Sequence, residues 1–321
     1  MKRINFILGI FFVGCLLGTG VLSAGTESAI KPSAKPDNGL AILMEKHSIS
    51  HTTAQVTPTV CALAGIQAPE TAIALPIRDV TDFWSNLKKK DGKPAEDVIE
   101  KALIFCPDAT GNFLVPIYPD DWKPLFDSSD VVVKGTNVLP SVTPVCFGAI
   151  FTGAPPEIHG IRKYQDKYLP NPIKVKTLFD AFAEDGKKVI IISQKNCSID
   201  LIFRNRPIDY ISVKTSKEAV ETTKKLLNEY DLIICYDGNY DSVMHGKGVH
   251  HPKSIDAMRD SIRWYFELVE AADSVWAEKN RLTAFIPDHG AHDTKEGKGT
   301  HGTSMADDAI VNHFYRLRSG K

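Results

Sequence analysis

Four short apolar runs, at residues 102–106, 189–193, 232–236 and 282–286, are separated by stretches whose apolar residues recur at helical spacing. Runs this short and this rich in Leu, Ile, Val and Phe suit strands buried on both faces, as in a parallel sheet. Between them, Val175, Leu178, Phe179 and Phe182 fall on one helical face ahead of Gly186, an expected helix stop. Ala219, Thr223, Leu226 and Leu227 mark a second helix, opened by Thr215 or Ser216 as cap. A third is expected over 254–278, where Ile255, Met258, Ile262, Tyr265, Phe266, Val269, Ala272 and Trp276 keep a 3.6-residue period. The alternation predicts an α/β fold, with a mostly parallel central sheet and helices on both faces.

In open α/β sheets the ligand site lies beyond the carboxyl ends of the strands. Asp108 comes two residues after the first run, and Asp241 five after the third. Asp288 and His289 follow the fourth. His245 is four residues from Asp241, close enough to converge with it from one loop or turn, and His301 sits in a glycine-flanked loop. Three carboxylates and three imidazoles suit divalent cations: Zn²⁺ first, with Mn²⁺ or Fe as options. Two such ions about 3.5–4 Å apart activate an alcohol and stabilise a pentavalent phosphoryl transition state. An alcohol is available in the stretch 140–144, Pro-Ser-Val-Thr-Pro, ahead of an apolar helix-like segment. Thr143 is expected to cap that helix, facing its free N–H groups and positive dipole end. Ser141 is the rival hydroxyl. The set as a whole points to metal-dependent phosphoryl transfer.

The chain has 321 residues, enough for one large domain. Lys and Arg total 38 against 39 Asp and Glu, which suggests no nucleic-acid-binding surface. Lys2 and Arg3 precede an apolar run at 4–22 followed by Ser23, Ala24 and Gly25, the pattern of a secretory signal over residues 1–24. The expected location is therefore periplasmic or extracellular. A retained membrane anchor, or lipid attachment at Cys15, is the lesser option. Residues 25–40 read as a flexible linker, and 41–321 as a single catalytic domain. The other five cysteines have no repeated spacing and are expected to be free thiols. His159 is expected to shape the turn after the Thr143 segment. His250, His251 and His292 are spare once six ligands are assigned.

The ordered motifs resemble the alkaline phosphatase superfamily, and within it the type I phosphodiesterase/nucleotide pyrophosphatase branch. The residues that carry the resemblance are Asp108; the stretch from Thr143 to Gly153 followed by Pro156-Glu157-Ile158-His159-Gly160-Ile161; Asp241 with His245; Asp288-His289-Gly290; and His301-Gly302. It spans about residues 101–316. It implies an alkaline-phosphatase-like fold with Thr143 as nucleophile, in contact with both metals. Asp108, Asp288 and His289 would hold one metal, and Asp241, His245 and His301 the other. The branch often has an asparagine shortly after its His-Gly-Ile that contacts a phosphoryl oxygen. Here Arg162-Lys163-Tyr164 follows, with Tyr164 at that place. These three are the candidate substrate contacts, and the departure leaves the choice between diester and monoester open.

The expected function is hydrolysis of small phosphodiesters or nucleotide pyrophosphates through a phosphothreonine intermediate. A phosphomonoesterase or a phosphonoacetate-hydrolase-like enzyme is the enzymatic alternative. A non-catalytic metal- or phosphate-binding protein on the same fold is the other class.

Overall fold

The computed structural model describes residues 38–92 and 97–321. The expected signal at 1–24 lies outside the described residues, as does the linker up to residue 37. The end of the expected linker is helical instead: a helix runs Asn38–Lys46. No helix among the described residues is long and apolar enough to cross a membrane.

Among the described residues there are ten strands: β1 (His51–Thr52), β2 (Lys101–Pro107), β3 (Val131–Thr136), β4 (Val189–Gln194), β5 (Asp209–Val213), β6 (Leu232–Asp237), β7 (Arg281–Phe285), β8 (His292–Asp293), β9 (Gly299–Thr300) and β10 (Ile310–Arg318). Eight form one sheet in the order β1-β3-β10-β7-β2-β6-β4-β5, and β8 pairs with β9 in a small hairpin. Every pairing in the large sheet is parallel except those of β10, which runs antiparallel to both β3 and β7. The expected mostly parallel sheet is thus present, and the four apolar runs are β2, β4, β6 and β7.

Both faces of the sheet are covered. Ala102, Ile104 and Cys106 of β2 point into one apolar core with Ile191, Ile234 and the helix Thr143–Thr152. Leu103 and Phe105 point into the other, with Ile233, Phe285 and the helix Pro252–Val275. This period-two division explains why the strand sequences are apolar throughout. The expected helices form at Leu178–Glu184, Ser216–Leu226 and Pro252–Val275, and Thr215 accepts a hydrogen bond from the Glu218 N–H as the cap of the second. The five described cysteines are free, and only Cys197 is not buried.

Register fixes where the chemistry falls. Cys106 and Pro107 pair with Tyr236 and Asp237. Asp108 then leaves β2 with its N–H on the Asp237 carbonyl at 2.8 Å. Because β2 lies between β6 and β7, the segments that follow these three neighbours share one edge of the sheet.

Candidate active site

Asp108, Asp288 and His289 form one buried group, and Asp241, His245 and His301 form a second, with the ligand atoms of each group within 4.8 Å of one another. In the first, His289 Nε2 lies 3.4 Å from Asp108 Oδ1 and 3.3 Å from Asp288 Oδ2. In the second, Asp241 Oδ1 lies 3.2 Å from His245 Nε2 and 3.3 Å from His301 Nε2. The groups adjoin, since the His289 and His301 rings have centroids 4.1 Å apart. Asp241 and His245 are not on a loop, as the sequence reading had it. They occupy successive turns of the helix Asn239–Lys247, whose pitch aligns positions four apart.

Local structure aims each group. Ala109, with φ 61°, turns its N–H onto Asp288 Oδ1 at 3.2 Å, tying the turn after β2 to the segment after β7. Gly290 is required sterically: a Cβ there would lie 1.9 Å from the Asp307 carbonyl oxygen. Each histidine engages a backbone carbonyl through Nδ1: His245 with Gly299 at 3.0 Å, His289 with Gly290 at 2.9 Å and His301 with Ser141 at 2.9 Å. This fixes the proton on Nδ1 and turns the Nε2 lone pair inward, the arrangement metal-ligating imidazoles adopt.

The residues fit divalent metal. Asp241 Oδ1 and Asp288 Oδ2 are buried without a hydrogen-bond partner. Buried acceptors left unpaired are costly, and a cation would satisfy them. Ligands about 2.0–2.1 Å from a tetrahedral ion lie roughly 3.3–3.4 Å apart. The separations within each group match that spacing.

Electrostatics point the same way. Burial, and then the Asp241 charge, push Asp108 up to about 7. Burial and the neighbouring Asp108 push Asp288 well above the carboxylate range. Asp241 beside it holds His245 up at about 9. Burial also opposes ionisation of Asp241, but the two adjacent imidazoles prevail and hold it below the usual range. Burial drives His289 well below its ordinary value, and the neighbouring His301 adds to this. The cluster therefore draws positive charge, from protons or from metal.

Thr143 lies at the edge of the first group. Its Oγ1 is 3.3 Å from His289 Nε2 and 3.5 Å from Asp108 Oδ1. The expected capping role is not observed. Val142 is the N-cap, Thr143 is the first helical residue, and no side-chain cap bond forms. The hydroxyl thus faces the ligands rather than the helix. Ser141 is engaged elsewhere, with its Oγ 2.8 Å from the Thr303 carbonyl oxygen and 3.2 Å from Asn137 Oδ1. All ten residues of the Thr143–Thr152 helix are buried. Gly148 makes room for the buried His159, whose ring atom would come within 2.6 Å of any Cβ there.

Arg162, Lys163 and Tyr164 make their contacts outside the two ligand groups. The Arg162 and Lys163 N–H groups bind Asp166 Oδ2 at 2.8 and 3.1 Å, and the Arg162 guanidinium reaches the Glu157 carbonyl at 3.4 Å. Tyr164 is 43% exposed and carries the Lys167 ammonium over its ring. None of these contacts involves a candidate ligand.

Sequence reasoning missed Tyr236, whose hydroxyl donates to Asp108 Oδ2. Its position in an apolar strand disguised it. A pocket of about 360 Å³ is lined by Tyr236, Gly238, Asn239 and Ser242 together with Gln194, Cys197, Lys214, Thr215 and Ser216.

These features define an alkaline-phosphatase-like α/β fold with two three-residue clusters at its strand ends. Among solved structures, murine ectonucleotide pyrophosphatase/phosphodiesterase 5 is similar in fold, with a TM-score of 0.50 at 18% identity over 61% of this chain and 59% of that one. An inactive threonine-to-alanine variant of that protein in complex with AMP matches at TM-score 0.50 and 16% identity, over 61% and 59% of the two chains. Phosphonoacetate hydrolase from Sinorhizobium meliloti in complex with phosphonoformate matches at TM-score 0.46 and 17% identity, over 62% of this chain and 59% of that one. The match thus spans less than two thirds of each of these chains. No family model and no curated protein sequence matches the chain. The likeness establishes the fold.

Proposed function

We propose that this protein is a metal-dependent phosphoric ester hydrolase that uses Thr143 as nucleophile. One observation carries the reading: a buried threonine hydroxyl at a helix start lies 3.3 Å from His289 Nε2, beside two adjoining groups with metal-ligand chemistry. The fold shared with a phosphodiesterase supports it. So does the loss of activity recorded for that protein's threonine variant.

Asp108, Asp288 and His289 would hold one divalent ion, and Asp241, His245 and His301 the other. Zinc best suits this mixture of carboxylate and imidazole. When bound, such ions lower the pKa of a nearby hydroxyl and offset charge on phosphoryl oxygens. Thr143 Oγ gives its proton to solvent and bonds to phosphorus as the bond to the ester's alcohol breaks. The departing oxygen takes a proton from solvent. Water next adds to phosphorus, the Thr143 oxygen leaves, and the hydroxyl is regenerated with its proton. The dipole of the Thr143–Thr152 helix stabilises negative charge at its N-terminus throughout.

The pocket beside Tyr236 and Ser242 offers space for the alcohol portion. Diesters or nucleotide pyrophosphates are the leading substrates. With its guanidinium on the Glu157 carbonyl, Arg162 does not favour a monoester dianion. Export to the periplasm or cell exterior, from the signal-like N-terminus, completes the proposal.

A panel of generic diesters, monoesters and a phosphonate, assayed with zinc and with manganese, tests it. Turnover that depends on metal and is fastest for diesters is expected. A metal-loaded protein inert to the whole panel would instead indicate a binding protein.

A further inference from the structure

Asp308 is fully buried but is not a candidate ligand. Its Oδ2 accepts hydrogen bonds from the Thr303 N–H at 2.8 Å and the Thr303 hydroxyl at 2.7 Å. Its Oδ1 accepts from His292 Nδ1 at 2.6 Å. These two partners bracket His301. Thr303 lies two residues beyond it, and His292 pairs across the hairpin with Thr300, the residue just before it. The carboxylate therefore grips both ends of the segment that presents His301.

The grip extends to the nucleophile. The Asp308 carbonyl accepts from Asn137 Nδ2 at 3.0 Å. Ser141 Oγ approaches both Asn137 Oδ1 at 3.2 Å and the Thr303 carbonyl at 2.8 Å. The Ser141 hydroxyl has one proton to donate, and the shorter contact gives it to Thr303, so Asp308, Thr303 and Ser141 form a chain beside Asn137. The Ser141 carbonyl fixes His301 Nδ1 at 2.9 Å, and Thr143 follows two residues on. The Asp308 carbonyl also accepts from the Gly290 N–H at 2.8 Å, a backbone bond, whereas the carboxylate itself bonds to Thr303 and His292. Burying a carboxylate costs several kcal/mol unless it is well hydrogen-bonded. Three bonds converging on this one make it a rigid anchor.

We propose that Asp308 is a positioning residue that aims His301, and so completes the Asp241–His245–His301 group, its carboxylate making no bond to Asp108, Asp288 or His289. The inference rests on the two-metal reading of the site. Groups that orient a ligand from behind change metal affinity by about tenfold to a hundredfold.

The test is a calorimetric titration of zinc into the chelator-treated full-length protein. The wild type is expected to take up two ions. Asp308→Ala is expected to retain one with wild-type affinity and to bind the second about tenfold to a hundredfold more weakly. Asp308→Asn keeps an acceptor for Thr303 and is expected to restore much of that loss. Should Asp308→Ala fail to fold, Thr303→Val removes the hydroxyl bond to Asp308, and with it the acceptor of the Met305 N–H, from an exposed residue, and a smaller loss confined to the second ion is expected. Unchanged binding of both ions in the folded variants, or equal weakening of both, overturns the inference alone. A wild type that takes up no zinc or manganese overturns both this inference and the two-metal reading.

Discussion

His245 and His301 face each other Nε2 to Nε2 at 3.2 Å, while the Nδ1 of each is engaged by a backbone carbonyl. Two inward lone pairs at that distance repel unless positive charge lies between them. In a chelated protein the charge must be a proton; in a metal-loaded one it is the ion.

This gives the site a defined pH dependence. Asp241 holds His245 up at about 9, and burial with the Asp241 charge holds Asp108 up at about 7. Metal must displace these protons, so affinity is expected to rise by about tenfold per pH unit for each proton released. His245 releases a proton below about pH 9 and Asp108 a further one below about pH 7, and the raised Asp288 adds to that count. Zinc titrations in buffers of different ionisation enthalpy would count them. Binding that does not vary with pH across this window would contradict the assignment.

The same two groups affect the chelated protein's stability. Both bind protons more tightly in the folded chain than in the unfolded one, where Asp titrates near about 3.9 and His near about 6.5. Their contribution is fully present below those values. It is lost as pH rises through about 7 for Asp108 and about 9 for His245. The chelated protein is therefore expected to lose thermal stability between pH 5 and 9 and to regain it on adding zinc. Melting curves at several pH values, with and without metal, check this.

Tyr236 donates to the Asp108 oxygen that faces away from His289 and Thr143. Tyr236→Phe keeps the ring and removes the donor. It is expected to weaken the ion at the first group by about tenfold to a hundredfold. Metal titration of the variant would reveal it, and an unchanged affinity would remove Tyr236 from the site.

Single replacement of Arg162 or Lys163 by alanine is expected to leave the ratio of diester to monoester rates unchanged, because the Arg162 guanidinium is held by the Glu157 carbonyl and the bonds to Asp166 come from backbone N–H groups that alanine keeps. A selective loss of monoesterase activity would show that one of them reaches the phosphate in the complex and would overturn the diester preference.

Much of the fold and of the candidate site was legible in the sequence because candidate ligands that follow buried strands are marked by an abrupt change from apolar to polar residues. Asp108 and Asp288-His289 stand out for that reason, and β2, β4, β6 and β7 were readable as unbroken apolar runs. The antiparallel β10 was not: its direction depends on pairing with Val131 and Arg281, far away in sequence. The helical setting of Asp241 and His245 was hidden because Asn239–Lys247 carries a weak apolar pattern. Thr143 looked like a cap because Thr-Pro commonly opens helices. Only the backbone reveals that Val142 takes that role and leaves the hydroxyl to face His289 and Asp108. Tyr236 and Asp308 act through hydrogen bonds to distant segments, for which local sequence holds no signal.

The most direct measurement is rapid acid quench of the metal-loaded protein during turnover of an ester, with mass-spectrometric mapping of covalent phosphorus. The adduct is expected on Thr143, and Thr143→Ala is expected to lose both adduct and turnover while its stability changes by about 1 kcal/mol or less, since no cap bond is removed. Ser141→Ala, which frees the Thr303 carbonyl, is expected to cost about 1 kcal/mol of stability and to keep the adduct on Thr143. Phosphorus on Ser141, or turnover that survives in Thr143→Ala, would contradict the account.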